Sequence, residues 1–224
     1  MIDVVFVPQR KISEDTCVLI DVLRATSVIV TALANGAVRV KPVLTVQQAL
    51  KQKDADVLIC GERKSVKPKG FDLGNSPLEY SKRAVEGKNI VLTTTNGTRA
   101  IGKIKCKRLY AASFLNLSAV VRKLELHDRV TIVCAGQKGR VALEDVLCAG
   151  AIVSMSRAER KTDSALMAES VWKSVGSIFK ALSECQHGKE LIEKGFSKDV
   201  EFCSKIDLYH LVPVFKDGAF SLDE

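Results

Sequence analysis

Aromatic side chains make up only 5% of the 224 residues, with a single tryptophan, so there are few flat surfaces on which unpaired bases could stack. The 34 basic residues outnumber the 26 acidic ones for a net charge of +8, yet they are spread along the chain rather than run together. Nucleic-acid binding is therefore not expected, and the positive balance suits a small anionic substrate at least as well. Histidine is equally sparse: His127, His187 and His210 are not at ligand spacing, which speaks against a structural zinc site. The seven cysteines form no CxxC pair, are odd in number and lie mostly in apolar runs, where a free thiol packs as a small hydrophobe. With no signal peptide and no apolar run near ~18 residues, the expectation is a reducing cytoplasm and no membrane span.

Several motifs are also missing. No GxGxxG follows a strand and there is no GxxxxGK[ST], so dinucleotide and P-loop nucleotide binding have little support. Leu23 stands where aspartyl-phosphate enzymes of the haloacid dehalogenase type carry a second aspartate, two residues after the first. No Arg-His-Gly triplet supports a phosphohistidine route. There is no internal repeat, low-complexity tract or clear linker.

What is present is best read from Thr16 to Gly36. An apolar run, Cys17 to Ile20, has the composition of a buried strand. Asp21 follows it, with Arg24, Thr26 and Ser27 close behind. A helical pattern then runs through Val28, Ile29, Ala32 and Leu33 to a C-cap at Asn35-Gly36. Capping accounts for Thr26 or Ser27 but for neither Asp21 nor Arg24. Helix starts favour anions, and the carboxyl ends of parallel strands are where open α/β folds bind ligands.

Strands are expected at Met1–Val7, Val38–Val43, Val57–Cys60, Asn89–Thr93, Arg108–Ala112 and Val130–Ala135. Helices are expected from Thr45, its N-cap, from Pro77, after Arg99, over Asn116–Leu124, over Leu143 to about Ser156, and through much of the chain beyond Asp163. Trp172, Phe179 and Leu182 are core candidates there. Leu211–Phe215 reads as a last edge strand, because Pro213 is tolerated only at an edge. Strands alternating with helices this regularly predict an α/β fold, with a mostly parallel sheet and helices on both faces.

Four strands end alike, each in a turn rich in ion-binding groups: Asp21–Ser27, Gly61–Asn75, Thr93–Arg99 and Gly136–Asp145. Thr94, Thr95, Asn96 and Thr98 would cradle phosphate or sulfonate oxygens, or else simply decorate an N-cap. Arg24, Arg63, Arg99 and Arg140 are candidate anion clamps. Asp21, Glu62, Asp72, Glu144 and Asp145 are many carboxylates to set beside an anion. A hard divalent cation, Mg²⁺ by preference, would reconcile the two, as would ion pairing with the same arginines. Cys134 to Arg140, spelled CAGQKGR, resembles the phosphate loop of cysteine-dependent phosphatases. It departs from that loop at Val133, usually histidine, at Gln137, usually glycine, and in having no Ser or Thr after Arg140. Covalent cysteine catalysis is accordingly not expected.

Taken together, DVLRATSVIVTALANGA (from Asp21), GER (from Gly61), GFDLGNSP (from Gly70), TTTNGTRAI (from Thr93) and GRVALEDVLCAG (from Gly139) resemble the 2-phosphosulfolactate phosphatases of coenzyme M biosynthesis and their bacterial relatives. The tail from His187-Gly188 to Pro213 resembles them more weakly. The resemblance implies a three-layer α/β/α fold with a mostly parallel, mixed sheet, forming one phosphatase domain over residues 1–224. It also implies Mg²⁺-dependent hydrolysis of (2R)-2-phospho-3-sulfolactate to 3-sulfolactate and phosphate. Asp21, Glu62 and Asp145 become candidate Mg²⁺ ligands, and these three with Arg24 the candidate catalytic set. Arg24, Ser27, Thr94, Thr95, Asn96 and Thr98 are candidates for the phosphate, and Asn75 with Arg140 for the carboxylate or sulfonate. Asp72 is a further candidate at the substrate, and Glu144 or Asp72 a candidate general acid or base. Two rival readings stay open: a phosphatase for another small 2-phospho acid, and a non-catalytic binder of an anionic metabolite. A homodimer would be unsurprising for such an enzyme.

Overall fold

The computed structural model describes residues 1–223. Nine strands form one sheet: β1 (Ile2–Val5), β2 (Ile12–Ile20), β3 (Arg39–Pro42), β4 (Val57–Gly61), β5 (Asn89–Thr93), β6 (Ile104–Ala112), β7 (Val130–Cys134), β8 (Val214–Lys216) and β9 (Ala219–Ser221). Their order across it is β1-β7-β2-β6-β8-β9-β3-β5-β4. The pairings β1/β7, β7/β2, β2/β6, β3/β5 and β5/β4 are parallel; those made by β8 and β9 are antiparallel. The helices are α1 (Ala25–Ala34), α2 (Val46–Leu50), α3 (Lys82–Val85), α4 (Gly97–Ile101), α5 (Leu117–Leu124), α6 (Leu143–Met155), α7 (Asp163–Lys173), α8 (Ile178–Glu184), α9 (Gln186–Glu193) and α10 (Ser197–Cys203). The architecture is mixed α/β in three layers. No helix among the described residues is long and apolar enough to cross a membrane.

Alternation along the strands creates the layers. In β2, Val18 and Ile20 join one apolar cluster with α5, α6 and α7, while Cys17 and Leu19 join another with α1. In β5, Ile90 and Leu92 share that second cluster, while Val91 faces a third built on Phe71, Ile59 and Ala49 of α2. Thr45 caps α2 with a reciprocal bond pair to Gln48, as its side chain suggests.

The sheet is curled rather than open. Five strands separate β7 from β5, which in a flat sheet would hold them ~29 Å apart at ~4.8 Å per strand. Yet the Lys138 N–H, in the turn after β7, donates to Asn96 Oδ1, in the turn after β5, at 3.1 Å.

Three sequence expectations are corrected here. Leu211–Phe215 is not an edge strand: β8 starts at Val214 and lies inside the sheet, joined to β9 and flanked by β6 and β3. Pro213 sits just before β8 and contributes only its carbonyl, which accepts from the Ala111 N–H, so its missing donor breaks no ladder. The β8–β9 turn, Asp217-Gly218, has φ of 52° and 80°, the left-handed pair of a type I′ hairpin. Phe179 is 48% exposed and is not core, whereas Leu182 is buried and Trp172 packs beside it. The helix from Pro77 is a single 3₁₀ turn, Pro77–Glu79.

Candidate active site

The curl brings the four polar turns together, and side chains of the turns themselves tie them in place. Asp145, in the first turn of α6, accepts from the Val22 N–H at 2.9 Å and the Gly136 N–H at 3.0 Å, joining the turns after β2 and β7. Glu62 accepts from the Ser65 N–H at 2.7 Å and the Thr95 N–H at 2.6 Å, joining those after β4 and β5. Thr26 and Ser27 do not cap α1. Their hydroxyls donate to the carbonyls of Asp21 and Val22 at 2.9 and 2.8 Å and hold the turn closed. Thr98 does the same to Thr94 at 2.6 Å.

The chain's last helices supply a roof. Arg24 forms a buried ion pair with Asp199 of α10 and lies 4.3 Å from the centre of the Phe196 ring. Asp199 also accepts from Ser76 Oγ at 2.7 Å. His187 and Glu190 come from α9. Glu144 Oε1 lies 3.2 Å from His187 Nδ1, and Glu190 bonds Gln137 Nε2 at 3.1 Å and the Lys138 ammonium at 3.2 Å.

Between turns and roof is a small cavity of about 80 Å³ lined by Asp21, Leu23, Arg24, Glu62, Lys64, Ser65, Asn75, Thr94, Thr95, Asn96, Gln137, Lys138, His187 and Glu190. Asn75 Oδ1 and Thr95 Oγ1 are buried here without a hydrogen-bond partner, so two polar atoms on the wall are left for a ligand. Burial raises the Asp21 carboxyl to about 6; the charge of His187 and the Ala25 N–H oppose this, and the charges of Glu144 and Glu62 add to it. Burial, with Glu144 and Asp21, likewise pushes Asp145 well up against the pull of its two amide donors. The Cys134 thiol is also driven well above its ordinary value, by burial and then by Asp145. A thiol so held is not a nucleophile.

A model of the 2-phosphosulpholactate phosphatase family matches residues 4–218. The chain belongs to the 2-phosphosulfolactate phosphatase family. It is 56% identical to the probable 2-phosphosulfolactate phosphatase of Pseudothermotoga lettingae, over 98% of each chain. It is 52% identical to that of Thermotoga petrophila, over 100% of this chain and 99% of the other. It is 43% identical to that of Clostridium acetobutylicum, over 95% and 94%.

In this 2-phosphosulfolactate phosphatase fold, Asp21, Arg24, Glu62, Asn75, Thr94, Thr95 and Asn96 face one cavity. The other predicted site residues lie elsewhere. Ser27, Thr98 and Asp145 are buried in the turns' own hydrogen bonds. Asp72, late in the turn after β4, accepts from the Ile59 N–H of that strand at 2.8 Å. Arg140 is exposed outside the cavity. Of the other arginines, Arg63 donates to Leu44 O and Thr93 Oγ1, both at 2.8 Å, as framework, and Arg99 is exposed on the far side of its turn.

Sequence reasoning passed over Lys64, Ser65, Gln137 and Lys138, although all four lie within the polar turns it singled out. It also passed over His187, Glu190 and Asp199 of the tail. No spacing pattern links them to residues 21–24, and only the His187-Gly188 pair stood out.

Proposed function

We propose that the protein is a phosphoric monoester hydrolase that converts (2R)-2-phospho-3-sulfolactate to 3-sulfolactate and phosphate. The family and the printed names of its relatives support the substrate. The observation that carries the chemistry is the placing of Asp21 and Glu62 beside Arg24 in one cavity. Its partner on this reading is a small anionic phosphate ester, not nucleic acid, and its compartment the cytoplasm, with a homodimer allowed.

Among the described residues, no group of three or more His, Cys, Asp or Glu could hold a metal ion. Mg²⁺ does not require one, since one or two carboxylates, substrate phosphate and waters commonly complete its shell. Asp21 and Glu62 fit that demand: Asp21 Oδ2 accepts no hydrogen bond from the described residues, and the two charges lie near enough for Glu62 to raise Asp21. Asp145 does not fit, because it lines no part of the cavity; Glu62 also accepts one amide on each oxygen, but it faces the cavity, where each oxygen keeps a further lone pair for a ligand. Held by Asp21 and Glu62, Mg²⁺ would offset phosphoryl charge and orient a water for in-line attack. Arg24 would clamp phosphate oxygens with the N–H groups left free by Asp199 and Ser65, aided by the Thr94–Asn96 turn. Asn75 would meet the carboxylate or sulfonate end, with Lys64 and Lys138 adding positive field at the mouth.

The test is phosphate release from 2-phosphosulfolactate with Mg²⁺ and with EDTA, beside a panel of other 2-phospho acids. The reading expects metal-dependent turnover favouring phosphosulfolactate and its loss in Asp21→Ala. Turnover of other phospho acids alone would remove the substrate and keep the chemistry. No turnover at all would leave a binding protein.

A further inference from the structure

We infer that His187 is the proton donor to the departing alcohol oxygen, with Glu144 as its positioning residue; the inference rests on the phosphatase reading. Hydrolysis of such an ester expels the oxygen of a secondary alcohol. An alkoxide is a poor leaving group, so the bond breaks readily only if a proton arrives as the electron pair does.

Few groups on the cavity wall can deliver one. Both oxygens of Glu62 are occupied by amide donors. Burial alone would lift Glu190, but the Lys138 ammonium more than offsets it and keeps the carboxyl ionised. Asp21 is one of the two carboxylates proposed to hold the cation, a role that requires it ionised. Lys64 and Lys138 end in ammonium groups, and lysine is a residue type that gives up its proton reluctantly near neutrality. His187 is the lining residue whose side chain ordinarily changes charge in that range.

Its surroundings are those of a held imidazole. The ring is 13% exposed and lines the cavity. Nδ1 lies 3.2 Å from Glu144 Oε1, and Nε2 has no hydrogen-bond partner among the described residues. Glu144 in turn is 2% exposed, with the Cys185 thiol and the Asp21 and Asp145 carboxyls also near it. A buried carboxylate is costly unless paired, and the cationic partner it has here is the imidazole. Such a pair fixes the ring and leaves Nε2 to handle the proton, an arrangement general to carboxylate–histidine dyads. The backbone beside it is also secured, by the Gly188 N–H donating to Cys185 Sγ at 3.2 Å.

The step balances. A water oxygen bonds to phosphorus, the ester P–O bond breaks, and its electron pair goes to the C2 oxygen. That oxygen takes the proton from Nε2–H of the imidazolium. Both protons of the water leave on the phosphate, as dihydrogen phosphate, and the neutral ring is reprotonated from solvent.

Leaving-group dependence tests it. Wild type, His187→Gln and Glu144→Gln are compared, with Mg²⁺ present, on phosphosulfolactate and on p-nitrophenyl phosphate, whose nitrophenolate departs without help. His187→Gln should lose on the order of 10²–10⁴-fold in kcat on the alkyl ester and less than about tenfold on the aryl ester. Glu144→Gln should show a smaller loss with the same substrate pattern, which a merely structural lesion would not produce. Equal losses on both esters in His187→Gln and Glu144→Gln would remove this role while leaving the phosphatase standing. A wild type that hydrolyses neither ester would remove both.

Discussion

Asp21 should make the protein less stable at the pH where it works. Its carboxyl has an ordinary value of 3.8, and in the fold it stands at about 6, raised first by burial and then by Glu144 and Glu62 against the help of His187. The folded state therefore holds its proton more tightly than the unfolded chain does. Below pH ~4 both states are protonated and nothing is lost; as pH rises through 6 the folded state must bear a buried charge. The two values lie roughly two pH units apart, and at ~1.4 kcal/mol per unit the cost is about 3 kcal/mol above pH 6. Asp21→Asn keeps the shape and an oxygen for the Ala25 N–H but carries no charge. In EDTA at pH 8 it should unfold in urea with about 3 kcal/mol more stability than wild type, or roughly 6–12 °C higher in Tm for a chain this long. The gain should shrink towards zero as pH falls towards 4, and phosphatase activity should be gone throughout. A variant less stable than wild type at pH 8, or a gain independent of pH, would refute the reasoning.

Other outcomes follow from particular contacts. Asp199→Ala leaves the buried Arg24 guanidinium without its carboxylate and should cost about 3–5 kcal/mol in urea unfolding. A Cβ on Gly97 would fall 2.8 Å from Ala25 Cβ and 2.9 Å from Asp21 Oδ2. Gly97→Ala should thus fold with an unchanged circular dichroism spectrum but lose on the order of 10²-fold in kcat/KM through displacement of Asp21. Cys134→Ala should keep activity within a few-fold, since the thiol is buried and held protonated; a hundredfold loss would reopen the cysteine route.

Much of the frame was legible because it depends on local pattern. Asn89–Thr93 is a strand to the residue, Thr45 caps α2 and Asn35-Gly36 closes α1, each fixed by neighbours within a few positions. The polar turns were legible for the same reason. Which of their side chains would face the cavity was not: Asp145 and Thr98 carry the right chemistry but are consumed by backbone donors and acceptors that only the folded arrangement supplies. The curl of the sheet has no local signature either, since it shows in pairings such as Lys138 with Asn96. The Asp217-Gly218 hairpin, by contrast, is written plainly between VFK and AFS, but Pro213 just before it makes the segment look like an edge.

The roof built from α9 and α10 sets the order in which a nascent chain can become an enzyme. Arg24 is made well before its partner Asp199, which follows 175 positions later, and the hairpin that bridges the sheet's two flanks comes later still. Contacts of such long sequence separation close slowly, and an N-terminal portion emerging from a ribosome holds Asp21 without the helices that cover it. Until the last strands lock in, that portion exposes the apolar faces that the finished sheet hides, a state prone to aggregation. Loss of even the final twenty-odd residues would take the middle strands out of the sheet, so a truncated product should be insoluble rather than merely slow.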